Sequence, residues 1–357
     1  MSDSTAMPAS AHLLLHDLAA ALPRHGFWES PVIVGVSGGA DSTALLLGLC
    51  HLADGLEGHR ASLCVAHAEH DLRDEAAADR DVVKTLAARL GLRFETRRLP
   101  LGADAGGGGE GVEARARRLR YRFFEEVARD IGGRHVAVGH TADDQAETIL
   151  HRALRGTGPA GLAGMSAARE LCDGVALLRP MLGIRRSVVR RWLTDLGERW
   201  CEDATNDDTR YARNFLRHEI LGRCEQGAYP AATEALVRLG GQAATLAGAI
   251  ASAAEYLLDE HAMRQDGGVV LNAAAMAALD RHLLTEVFAA LWRREGWPRR
   301  HMTARHYGQL AEMLASAADG GLPPRAEFPG GVAVMAAAPG RLACRWQPAY
   351  DAISTRR

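Results

Sequence analysis

Pro31-Val32-Ile33-Val34-Gly35-Val36 runs without a break into Ser37-Gly38-Gly39-Ala40-Asp41-Ser42 and then Thr43-Ala44-Leu45-Leu46-Leu47. A short β-branched run suits a buried parallel strand. The two glycines let the backbone turn so tightly that successive N–H groups face one anion. The helix starting just behind adds unsatisfied donors and the positive end of its dipole. Ser37 and Ser42 supply hydroxyls for phosphate oxygens. Asp41 cannot face a polyphosphate bare, so it either holds magnesium or caps the helix. Strand, phosphate loop and helix in this order predict a nucleotide site that includes Ala40 as well as the residues around it.

The loop is not of the Walker type, which needs G-x-x-x-x-G-K-[ST]; the chain's only lysine is Lys84. The pattern S-G-G-x-D-S instead resembles the loop of the ATP pyrophosphatase superfamily, whose members cut ATP between the α and β phosphates and pass AMP to a substrate.

Outward from the loop, strand-like runs recur at 32–36, 61–67, 93–99, 135–139 and 175–179, separated by helical patterns at 40–53, 74–90, 112–131 and 143–153. This alternation predicts an α/β fold with a doubly wound parallel sheet and its ligand at the carboxyl ends of the strands. The glycine-rich stretch 101–111 predicts a mobile loop at the edge of the site. After about residue 221 alanine-rich helical runs take over, at 231–261, 272–279, 282–294 and 303–318, with strand-like pieces only near 332–335 and 341–346. A chain of 357 residues accommodates two domains, here 1–222 and a smaller, mostly helical 223–357.

Forty-two Lys+Arg against 44 Asp+Glu give a formal net charge of −2. That balance conceals clusters of arginine at 115–122, 179–223 and 281–305. Arginine suits phosphate and stacks on bases, which predicts a nucleic-acid face; a biased genome writing arginine for lysine explains the missing lysines but not the clustering. The six cysteines show no C-x-x-C and no regular spacing, which argues against a disulfide framework, a zinc site or an iron–sulfur cluster. No cleavable leader and no apolar run of about 18 residues is evident, so a cytoplasmic protein without membrane association is expected.

The fourth strand-like run ends in Gly139-His140-Thr141-Ala142-Asp143-Asp144-Gln145-Ala146-Glu147-Thr148. Thr141 and Asp144 form a capping-box-like helix start. Asp143 and Glu147, at i and i+4, put like charges on one helix face, which repel unless a cation or arginine lies between them. Asp143 sharing magnesium with Asp41 accounts for this, and so does a solvated acidic face. The second strand ends at His67-Ala68-Glu69-His70; a zinc pair lacks a third ligand. A place at the sheet's switch point suits recognition of adenine by the backbone of Ala66 and His67, and a plain polar loop suits it too. Arg155-Gly156-Thr157-Gly158 points to close approach by another backbone or a bulky substrate. Glu202 to Asp208 leads into a helix carrying Arg213 and Arg217, one turn apart.

Together these segments closely resemble the tRNA(Ile)-lysidine synthetase family: Ser37 to Ser42, His67, His70 to Arg73, Glu113 with Ala116-Arg117 and Arg120-Tyr121, Gly139 to Thr148, Arg155 to Met165, Arg179-Pro180, and Glu202 to Arg217. The likeness is strong over about 30–220 and continues weakly through Phe328-Pro329-Gly330-Gly331. The chain departs from it in a glycine insert at 106–109. The resemblance implies a two-step reaction. The wobble cytidine of an isoleucine tRNA with a CAU anticodon attacks the α-phosphate of ATP, and free lysine then displaces AMP. It implies that Asp41 and Asp143 bind Mg2+ and that Arg117 and Arg120 contact phosphate or the anticodon stem. Asp144 and Glu147 would hold the cationic lysine, with Arg155, Arg213 and Arg217 on the substrate side and tRNA selection resting on the region after 222. A homodimer stays open. Two rivals remain: a tRNA sulfurtransferase on the same loop, which generally needs paired or loop-placed cysteines, and a nucleotide-sensing module without turnover.

Overall fold

The computed structural model of the chain describes residues 9–56, 59–70, 76–100, 111–202, 209–265 and 267–347. The expected loop at 101–110, the stretch 71–73 and the acidic turn at 203–208 lie outside them. Two compact units divide between Gln242 and Ala243.

In the first unit the order is α1 (Ala9–Ala21), β1 (Val32–Gly35), α2 (Ala40–Asp54), β2 (Leu63–His70), α3 (Ala76–Leu90), β3 (Arg93–Leu99), α4 (Val112–Ile131), β4 (His135–Val138), α5 (Ala142–Leu154), α6 (Pro159–Leu162), β5 (Ala168–Cys172), β6 (Val175–Leu178), α7 (Arg186–Asp195), α8 (Ala212–Phe215), a π-helical turn (Leu216–Leu221), α9 (Gly222–Gln226) and the start of α10 (Ala232–His261). The six strands form one sheet in the order β3-β2-β1-β4-β6-β5. All neighbours are parallel except β5 with β6. The alternation of side chains along each strand explains why β1 is apolar throughout. Val32 and Val34 pack with Leu14, Leu18, Leu45 and Leu49 on one face, while Ile33 packs with Phe123, Phe124 and Val127 of α4 on the other. β6 is the strand-like run expected at 175–179, whereas its antiparallel edge partner β5 and helix α7 were not anticipated. β5 is mostly exposed, so it carries no hydrophobic alternation to betray it.

The chain lays down β1, β2 and β3 in one direction and then returns to place β4 on the far side of β1, so the switch point lies between β1 and β4. This corrects the expectation that the end of β2, with Ala66 and His67, occupies the switch point; that end stands one strand over.

The second unit has the strands β7 (Ala262–Gln265), β8 (Gly268–Asn272), β9 (Ala326–Phe328), β10 (Val332–Ala338) and β11 (Arg341–Trp346), with helices α11 (Arg281–Arg294) and α12 (Ala304–Ala318). The strands form an antiparallel sheet ordered β7-β8-β11-β10-β9. The two strand-like pieces of the sequence are β10 and β11. The helix expected at 272–279 is instead the end of β8 followed by a single 3₁₀ turn at Ala274–Met276, because buried Val269, Val270 and Leu271 pair with β11. Trp292 centres this unit's core, meeting Phe288, Trp297, Tyr307 and Phe328 edge-on.

Candidate active site

The phosphate loop leaves β1 at Gly35 and enters α2 at Ala40. Gly38 takes φ +95°, a conformation that favours glycine, and Gly39 is the cap residue of α2 without any side-chain cap bond. The reading of Asp41 as a helix cap is thereby corrected. The Ser37 and Ser42 hydroxyls face each other at 3.1 Å, and Ser42 Oγ also accepts the Ser37 N–H at 3.1 Å. Gly139, at the end of β4, lies so close that a Cβ there would stand 2.8 Å from Asp41 O and 3.0 Å from Ser42 N. The loop and the start of α5 thus meet at the switch point, where two parallel strands diverge.

On α5 the anticipated capping box is present: Asp144 accepts the Thr141 N–H at 2.8 Å and the Thr141 side chain accepts the Asp144 N–H. Asp144 and Glu147 are buried, at 7% and 2% exposure. Bare carboxylates do not survive such burial, and arginines answer them. Arg213 donates from Nε to Glu147 at 2.6 Å and from a terminal nitrogen to Asp144 at 2.8 Å. Arg217 donates to both Glu147 oxygens at 2.6 and 3.2 Å. These two side chains lie one turn apart, and the π-helical turn begins at the residue before Arg217.

Arg186 at the start of α7 completes the cluster. Its guanidinium donates to Asp41 at 3.1 Å and to Asp144 at 2.8 Å, and it lies 3.6 Å from Glu147. Its backbone N–H donates to Asp143 at 2.7 Å. Asp143 also receives Arg185 at 3.3 Å, and Arg185 in turn meets Glu225 and Glu234. The structure therefore brings together Asp41, Asp143, Asp144, Glu147, Arg213 and Arg217 among the anticipated residues, and adds Arg185 and Arg186. Only the repeated pairs of arginine at 185–186 and 190–191 hinted at them.

Burial alone would raise the Asp144 carboxyl, but Arg186, Arg213 and the Thr141 N–H bring it down to about 2. Asp41 goes the other way: burial raises it, Arg186 lowers it, and the neighbouring carboxylates of Asp144 and Asp143 raise it again. Asp41 Oδ1 is buried without a hydrogen-bond partner.

A second group surrounds Tyr121. The guanidinium carbons of Arg117, Arg120 and Arg169 lie 5.2, 5.6 and 5.1 Å from its ring centre. Burial lowers the pKa of Arg120. His140 belongs to the same neighbourhood and is held neutral, with burial pushing it down to about 3. Among the described residues no carboxylate lies within salt-bridge reach of Arg117 or Arg120, which leaves this side of the site attractive to anions. His67 is buried, its Nδ1 2.8 Å from Val36 O, while Ala66 O accepts the Val36 N–H at 3.0 Å. Arg155 is exposed and meets His151 at 3.5 Å, away from the carboxylates. A depression of about 950 Å³ bordered by His25, Glu29, Arg134 and Glu170 lies at the opposite, amino end of the sheet and contains no loop residue.

A PP-loop domain family model matches residues 14–224, and the fold and loop geometry agree with it: the chain is an ATP-binding PP-loop protein. It is 34% identical over 355 residues to the tRNA(Ile)-lysidine synthase of Rhodopirellula baltica, covering 87% of this chain and 89% of that one. It is 40% identical over 230 residues to the tRNA(Ile)-lysidine synthase of Thermus thermophilus, covering 64% of this chain and 42% of the relative. The chain belongs to the tRNA(Ile)-lysidine synthase family, and spans about half or less of the Thermus relative's length. Among solved structures, the U34-tRNA thiolase NcsA from Methanococcus maripaludis shares the fold, with a TM-score of 0.53 at 14% identity over 65% of this chain and 79% of that one.

Proposed function

We propose that this protein uses ATP to adenylate the wobble cytidine of an isoleucine tRNA with a CAU anticodon and then joins free lysine to that base. The products are lysidine, pyrophosphate and AMP. The observation that supports it best is the adjoining of a phosphate loop and a buried, cation-binding carboxylate pair, Asp144 and Glu147. The carbonyl oxygen of cytidine is a poor leaving group, so an amine cannot displace it directly. Attack by that oxygen on the α-phosphorus expels pyrophosphate and leaves an oxygen bonded to AMP, which departs when the ε-amine of lysine attacks the ring carbon.

Each group has work to do. Ser37 to Ser42 hold the phosphates. Arg117 and Arg120, without a carboxylate partner among the described residues, face the charge that develops on phosphate during transfer. Asp144 and Glu147 hold the lysine side chain as a cation on arrival, and Glu147 takes its proton so that the neutral amine attacks as AMP leaves. Four carboxylates, Asp41, Asp143, Asp144 and Glu147, already meet four guanidinium groups, so an incoming ammonium has to displace one. Arg213, the most exposed of the four at 40%, is the one to yield, and it then stands free to meet RNA.

Magnesium fits the residues present. Asp41 Oδ1 is buried and unsatisfied, Asp143 lies beside it, and among the described residues no preformed cage of three or more ligands exists. That is the donor set of an ion that shares one or two carboxylates with a substrate's phosphates. Asp41 and Asp143 would hold it, and it would neutralise charge on the phosphates. Sulfur transfer is disfavoured: burial pushes the thiols of Cys50, Cys64 and Cys201 up to about 11 and of Cys344 to about 12, the reverse of what a sulfur carrier needs. Among the described residues no helix is long and apolar enough to cross a membrane.

The test is incubation of purified protein with ATP, lysine and unmodified tRNA transcript. Pyrophosphate release that needs tRNA, AMP release that needs lysine as well, and a nucleoside heavier by one condensed lysine are the expected results. ATP binding with no RNA-dependent release would instead indicate a sensor.

A further inference from the structure

We propose that Tyr121 is a positioning residue whose ring, in the place a carboxylate would ordinarily take, holds Arg117, Arg120 and Arg169, and that these three with Arg179 receive a phosphate of the reacting substrates. The inference rests on the ATP-dependent reading above. Arg117 and Tyr121 lie one turn apart on α4, so their side chains share a face. Tyr121 is buried and meets Phe124 edge-on, with 6.3 Å between ring centres. The guanidinium carbons of Arg117, Arg120 and Arg169 stand over its ring at 5.1 to 5.6 Å. Arg169 comes from the edge strand β5 and Arg179 from the residue after β6. The Arg179 N–H donates to Ala167 O at 2.7 Å and a terminal nitrogen to Ser166 O at 2.8 Å, while its Nε is buried without a partner.

What holds a guanidinium decides what it can still do. A carboxylate answers the charge and occupies the N–H groups that face it. A ring face stabilises the cation through its quadrupole and leaves the N–H edge open. Among the described residues no carboxylate lies within salt-bridge reach of Arg117, Arg120, Arg169 or Arg179, whereas Arg185, Arg186, Arg213 and Arg217 each meet at least one. The charge left over is felt locally. Burial raises the Tyr121 phenol, yet Arg117, Arg120 and Arg179 bring it below its ordinary value. Arg179 is lowered by burial and by repulsion from Arg117 and Arg169, against the pull of Tyr121. Four like charges in one place repel, and an arriving anion relieves them.

The number of charges selects the anion. A single carboxylate, such as that of an amino acid, would leave most of the four guanidinium charges unanswered. A phosphate group offers more charge and the oxygens that a guanidinium fork matches. Position agrees: His140 feels Asp144 on one hand and Arg179 and Arg120 on the other, so the cluster adjoins the amine pocket, where in the proposed reaction ATP and the RNA backbone both bring phosphates.

The experiment compares the full chain with Y121L, Y121F and R169Q. It measures affinity for a nonhydrolysable ATP analogue, affinity for the tRNA transcript across a salt series, kcat for tRNA-dependent pyrophosphate release, and the KM for lysine in AMP release. Y121L is expected to lose roughly 3- to 30-fold in one of the two affinities or in kcat, and Y121F, which keeps the ring face, to recover most of that loss. A loss in analogue affinity or kcat identifies the phosphates of ATP. A loss in tRNA affinity, with a salt slope shallower by about 1 in R169Q, identifies the RNA backbone. Arg169 is exposed on an edge strand, so R169Q should fold normally and move the same measurement as Y121L, less far; should Y121L fail to fold, R169Q decides alone. Unaltered values in a folded Y121L, equal defects in Y121F and Y121L, an unaltered R169Q, or a defect confined to the KM for lysine each overturn the inference. A wild-type chain that binds both ligands but releases no pyrophosphate overturns the parent reading, and the two affinities then decide the cluster on their own.

Discussion

Arg186 meets three carboxylates from α2 and α5 with its side chain and a fourth with its backbone. Replacing it by glutamine strips charge from a cluster that is largely out of water, where an uncompensated carboxylate costs about 3 kcal/mol or more. R186Q should therefore unfold at markedly lower denaturant concentration than wild type. R186K should recover only part of the loss, because an ammonium cannot fork between Asp41 and Asp144. Asp144 permits a test against pH. Its carboxyl is depressed from an ordinary 3.8 to about 2, so ionisation favours the folded state at all pH above about 4 and that contribution disappears as pH falls through about 2. The stability gap between wild type and D144N, of order 2 kcal/mol near neutrality, should close over that interval in denaturant titrations. The spacing of Asp143, Asp144 and Glu147 was legible because they share one helix turn. Arg186 was not: nothing local distinguishes it from Arg185, Arg190 or Arg191, and its partners stand 39 to 145 residues away along the chain.

At the scale of elements, the junction of β4 with α2 is the tightest constraint on the site. A methyl at Gly139 would press on the backbone of Asp41 and Ser42, atoms that cannot rotate aside as a side chain can. G139A should cost about 1–3 kcal/mol by overpacking and weaken ATP binding more than tRNA binding, measurable by calorimetry with each ligand. The π-helical turn at Leu216–Leu221 leaves wider hydrogen-bond rings than an α-helix and lies where Arg217 reaches Glu147. No residue-type preference announces such a turn, so the sequence displayed a helix with two arginines and concealed its irregularity. The strand–loop–helix unit was legible because glycines, apolar run and helix start coincide. The outer strand β5 was not, since it faces water.

At the scale of the whole chain, each unit has its own core, one around the sheet of β1 to β6 and one around Trp292. A chain ending at Gln242 should fold, bind ATP, and bind tRNA roughly tenfold more weakly or worse if the second unit contributes phosphate contacts; filter binding across a salt series checks this. Arg281, Arg293 and Arg294 of the second unit are paired with acids, whereas Arg299, Arg300 and Arg305 are exposed with no salt bridge among the described residues. The charge clustering was legible, but which members remain available to RNA depends on pairing across the fold.

One backbone contact ties these scales together. The Cys201 N–H donates to Gly38 O at 2.9 Å, so the strand of chain that goes on to deliver Arg213 and Arg217 is moored to the nucleotide loop itself. A phosphate that shifts Gly38 on entering the loop would carry the backbone at Cys201 with it, because the bond joins main chain to main chain.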